Sequence, residues 1–193
     1  MSSAPCAKPS GPANASAPTA ILNTSFIVAL RRPDPRGREG FVRIAQKALS
    51  LIKSTDVRRY RRVCENLNYI MNFRETSVGE YDRDLKVCKI DYDHYFTTIN
   101  HERNVRNFAC ALINEATHGF FVRKSIPYKP KNRERIERIC HLEEYRFAMK
   151  LDPAWADMHI GPFEAERWKL LWESTRKSRI AALWERFKER TAK

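Results

Sequence analysis

The stretch Leu112-Ile113-Asn114-Glu115-Ala116-Thr117-His118-Gly119 decides how this chain is read. Just upstream, Phe108, Ala109 and Ala111 extend its apolar content, and the spacing predicts a well-buried helix over 103–121. Asn114 and His118 stand four residues apart, so they share one helix face, about 6 Å apart along the axis. A buried asparagine, glutamate and histidine all need partners, because an unpaired buried polar group costs about 1–3 kcal/mol. Either the three form a satisfied polar cluster, or they carry chemistry.

The chemistry that uses this spacing is metal-assisted hydrolysis. In an HExxH helix two histidines four apart bind zinc, and the intervening glutamate polarises a zinc-bound water as general base. Glu115 and His118 occupy the base and second-ligand positions here, and Asn114 stands where the first histidine would be. A third ligand must come from another element. The next helical stripe, over 132–151, carries Ile136, Cys140, Phe147 and Leu151 on its apolar side. Glu143 falls inside that stripe and Glu144 at its edge. A carboxylate on a buried face must be paired or bound to a cation, so Glu143 is the third-ligand candidate and Glu144 the reserve. The alternative for Glu143 is an ion pair with Arg135, Arg138 or Arg146.

Working outward, residues 80–92 read as a β-hairpin. Asp82, Arg83 and Asp84 supply turn chemistry, and Cys88, Ile90 and Tyr92 alternate with Lys89 and Asp91. A helix is expected over 38–53, where Phe41, Ile44, Ala45, Ala48, Leu51 and Ile52 recur at helical spacing. Asp56 then reads as the N-cap of a second helix, with Tyr60, Val63, Cys64, Leu67, Ile70 and Met71 as its apolar face. Arg58, Arg59, Arg61 and Arg62 lie on that helix. They are either a phosphate-binding patch or a solvated face with Tyr60 turned inward. Residues 1–20 are rich in Pro, Ala and Ser and are expected to be disordered. Residues 21–30 are expected to dock as a short strand or irregular segment, before Pro33, Pro35 and Gly37 break the chain.

These features, in this order, resemble a bacterial family of zincin-type metallopeptidases. The matching residues are the hairpin Glu80-Tyr81-Asp82 with Cys88-Lys89-Ile90-Asp91, and the helix that reads HEATH in the family and Asn114-Glu115-Ala116-Thr117-His118 here. Then come the turn Ile126-Pro127-Tyr128 and the helix with Arg135-Ile136-Glu137, Cys140, Glu143 and Arg146-Phe147. The resemblance runs over 41–151. It implies a minimal zincin core: a motif helix, an edge strand or hairpin, and a glutamate-bearing helix. It further implies zinc as cofactor, Glu115 as catalytic base, and His118 with Glu143 as ligands. The chain departs from that ligand set at Asn114, since an amide oxygen is a poor zinc ligand. Substitute ligands to consider are Cys110, His94, His101 and His141.

The expected architecture is therefore α+β and mostly helical, with a tail over 1–20, a zincin-like domain over 21–160 and a C-terminal extension over 161–193. That extension is basic and amphipathic, with Trp168, Leu171, Trp172, Ile180, Leu183, Trp184 and Phe187 on its apolar side. Three functions are compatible: a zincin-like fold that binds a peptide or protein in its cleft without zinc, a metal-dependent hydrolase with a substitute ligand, and a basic nucleic-acid-associated protein. The third is motivated by 36 Lys and Arg against 23 Asp and Glu, a formal charge of +13, which attracts polyanions without specifying one. Five cysteines with no CxxC argue against a disulfide framework or zinc ribbon and for a reducing, cytoplasmic setting. No apolar run is long enough to span a bilayer, and no export signal is read.

Overall fold

A computed structural model of the protein describes residues 27–28, 35–73, 79–92, 101–166 and 168. The fold is α+β and mostly helical. Its described elements are β1 (Ile27–Val28), α1 (Pro35–Thr55), α2 (Val57–Asn66), β2 (Tyr69–Asn72), β3 (Gly79–Asp82), β4 (Val87–Ile90), α3 (His101–Arg123), α4 (Pro130–Leu151) and α5 (Pro153–His159). The tail 1–20, and the extension beyond Trp168 with most of its apolar residues, lie outside the described residues.

Helix α1 buries the expected face: Phe41, Ile44, Ala45, Ala48 and Ile52 are fully buried. It gives way to α2 at Asp56, whose Oδ1 accepts the Arg59 N–H at 3.0 Å, satisfying one of the donors that a helix start leaves open. The end of α2 corrects the sequence reading, which carried the helix on through Ile70 and Met71. The last helical bond runs from the Leu67 N–H to the Val63 carbonyl at 3.0 Å, with Leu67 itself extended. The next N–H, of Asn68, goes instead to the Lys86 carbonyl at 2.7 Å. Backbone bonding across to the hairpin thus turns Tyr69–Asn72 into a strand, and Ile70 is fully buried in the sheet.

The sheet has the order β1-β2-β4-β3. β2 runs parallel to both β1 and β4, while β3 and β4 form the expected antiparallel hairpin. Asp82 shapes its turn by accepting the Leu85 N–H at 3.2 Å and pairing with Lys89 at 2.9 Å. Lys86 takes the left-handed conformation, φ 53°. Among the described strands β1 and β3 stand at the two edges.

Helix α3 is the hub, packed against α1, α2, α4 and β3. Phe108, Leu112, Ile113 and Ala116 are buried on it, and Phe147 of α4 joins the same core. Gly119 lets α3 meet two neighbours at once. A Cβ there would stand 2.9 Å from both the Cβ and the carbonyl oxygen of Asn66 and 3.0 Å from the Tyr81 ring. Helix α4 runs back along α3 and ends at Asp152, which caps α5 by accepting the Trp155 N–H at 3.1 Å. No described helix is long and apolar enough to cross a membrane.

Candidate functional site

The polar face of α3 meets α4, with β3 alongside. Asn114 Nδ2 donates to Glu144 Oε2 at 2.9 Å. One turn on, His118 Nε2 lies 3.6 Å from Glu137 Oε2, and the Cys140 thiol stands beside the same imidazole. Tyr128, in the loop between the helices, donates its hydroxyl to Glu137 Oε1 and sets its ring edge-on to His118 with centroids 5.9 Å apart. Glu115 is buried on the side toward the sheet, where Gly79 approaches closely: a Cβ at that glycine would lie 3.2 Å from Glu115 Oε1.

The electrostatics follow from burial and mutual proximity. Burial pushes the Glu115 carboxyl up to about 7; His118 opposes the shift, and the Glu137, Glu144 and Glu80 carboxylates reinforce it. Glu144 is likewise raised by burial, against the Asn114 hydrogen bond. Burial would lower His118, but its neighbours Cys140 and Glu137 and the charge on Glu115 hold it well above the ordinary imidazole range. Burial would raise Glu137, yet the bonds from His118 and Tyr128 hold it below the usual carboxylate range. Burial pushes the Cys140 thiol up, against the pull of His118.

Glu143 sits elsewhere. It faces α2, where Oε2 pairs with Arg62 Nη1 at 2.9 Å and Arg59 Nη2 at 3.2 Å, while Oε1 takes Arg146 at 3.4 Å. The ion-pair alternative therefore describes its contacts, with Arg59 and Arg62 as partners that helix spacing could not supply. Glu143, the first ligand candidate, thus stands among arginines, and the reserve, Glu144, is the one that faces Asn114. The arginine run also divides. Arg59 is buried between Asp56 and Glu143, Arg62 is half-buried, and Arg58 and Arg61 are exposed, so the four do not form one phosphate-binding surface.

Of the substitute ligands, Cys110 is buried in the main core, His141 bonds the Gly161 carbonyl at 3.0 Å, His101 is exposed and His94 lies outside the described residues. Sequence reasoning missed Glu137 and Tyr128. Glu137 lies three residues before Cys140 and seven before Glu144, so its place on the inward stripe of α4 was open to inspection. Tyr128 carried no comparable signal. Among the described residues no group of three or more His, Cys, Asp and Glu side chains is placed to hold a metal ion. Compared with protein-family models, curated proteins and solved structures, the chain matches none.

Proposed function

We propose that this chain is a zincin-like protein whose metal site has been replaced by direct pairing between its two site helices, and that it acts as a binding protein rather than a zinc hydrolase. One observation carries the reading. The two α3 residues at the metal-ligand spacing, Asn114 and His118, each pair with a different carboxylate of α4, Glu144 at 2.9 Å and Glu137 at 3.6 Å. With its positions thus closed, a zinc site would have to break both contacts.

The partner we infer is a peptide or protein held in the cleft beside α3. β3, one of the two edge strands among the described residues, packs against α3 there. Gly79 brings that edge against Glu115. The test is zinc content by elemental analysis of purified wild type and His118→Ala. The proposal expects no zinc in either. About one zinc per wild-type chain, lost in His118→Ala, would overturn it in favour of a hydrolase with a substitute ligand.

A further inference from the structure

The loop and first turn joining α3 to α4 are strongly cationic. Over residues 123–135 there are six cations, Arg123, Lys124, Lys129, Lys131, Arg133 and Arg135, against a single acid, Glu134. Lys124, Lys129 and Lys131 are exposed, and none of them forms an ion pair with a described residue. Beside them Tyr128 holds two guanidinium groups over its ring, Arg83 of the hairpin turn at 4.8 Å and Arg133 at 5.1 Å from the centroid. Arg83 is exposed and likewise makes no ion pair with a described residue. Its planar group is thus held by an aromatic ring instead of a carboxylate. Such a stack orders the guanidinium without neutralising it.

We infer that this end of the helix pair is a single-stranded nucleic-acid binding surface, in which Lys124, Lys129 and Lys131 take phosphates and the guanidinium plane of Arg83, propped on Tyr128, stacks on a base. The chemistry favours a single strand over a duplex. Arginine planes and aromatic rings stack on bases that are unstacked and turned outward, whereas in a duplex the base faces are already stacked on one another and closed to such a plane. The net charge of +13 adds long-range attraction of the right sign. The surface shares Tyr128 with the His118–Glu137 pair, but none of its phosphate or base contacts uses Asn114, His118, Glu137 or Glu144, and its test reads nucleic-acid binding and not zinc.

The test is fluorescence anisotropy of the full chain with a labelled oligothymidine of about 12 nucleotides, between about 50 and 200 mM salt. Wild type is expected to bind with a steep salt dependence. Joint replacement Lys124→Ala, Lys129→Ala and Lys131→Ala should reduce the slope of log K against log salt by about 2, since each phosphate contact on a single strand contributes about 0.7. Arg83→Lys keeps the charge and removes the plane, so it should weaken binding about tenfold with the slope unchanged. The exposed pair on α2, changed as Arg58→Ala with Arg61→Ala, should leave affinity near wild type. The inference is overturned if no binding is seen at the lowest salt or if Arg83→Lys binds like wild type. It is equally overturned if the α2 pair costs as much as the lysine triple, or if the protein takes up phosphatidylserine vesicles and ignores the oligonucleotide.

Discussion

At the scale of single residues, the difference between Glu143 and Glu144 governs the account. The two are one position apart, a rotation of about 100° around α4, and that rotation sends one carboxylate to the arginines of α2 and the other to Asn114. Asp56 anchors the arginine side: it caps α2, pairs with buried Arg59 and accepts Lys150 Nζ at 2.7 Å. Asp56→Ala should destabilise the fold by about 3 kcal/mol, because it strips a buried guanidinium of one partner and removes a cap; chemical denaturation measures this. The same contacts set a pH dependence. Burial would raise the Asp56 carboxyl from 3.8, but bonds from Lys150 and Arg59 outweigh it and hold it far below the usual carboxylate range. The folded state therefore binds this proton less readily than the unfolded chain. Its contribution is complete above the unfolded value of 3.8 and is lost as pH falls from there toward the folded value. Asp56→Asn should flatten that acid limb in denaturation midpoints taken from neutral pH downward.

At the scale of elements, Gly119 is the point where α2, α3 and the hairpin close on one another. Gly119→Ala would raise intrinsic helix propensity by about 1 kcal/mol. The added methyl nevertheless meets backbone and Cβ atoms of Asn66 at 2.9 Å, which cannot swing away like a long side-chain tip. The net effect should be a loss of about 1–2 kcal/mol, seen as a lower melting temperature; a gain in stability would contradict the packing described. The elements that were legible in the sequence are those with long periodic signals: α1, α3, α4 and the hairpin. β2 was not legible, because the apolar pair Ile70-Met71 fits the end of a helix as well as a short strand. What decides it is the Asn68 bond to Lys86 across the sheet, a tertiary fact. The site divides in the same way. Glu115 and His118 follow from spacing on one helix, whereas Glu137, Tyr128 and the true neighbour of Asn114 depend on how α4 is rotated against α3.

At the scale of the whole molecule, the account makes the fold independent of metal. Its core runs through α1, α3, α4 and the sheet, and the site positions are closed by protein groups. A ligand that bound only the folded state at about 100 times its Kd would add about 2.7 kcal/mol. Neither a chelator nor excess zinc should therefore move the melting temperature of the wild type, and an upward shift with zinc would count against the proposed loss of the site. The most direct measurement is zinc per chain in Asn114→His, beside the same variant carrying Glu144→Gln. The account predicts that the imidazole introduced at 114 displaces the Glu144 contact and, with His118 and Glu144, captures about one zinc, which the second substitution removes. If Asn114→His remains empty of zinc, or keeps it without the Glu144 carboxylate, the helix pair is not a converted zincin site and the central claim fails.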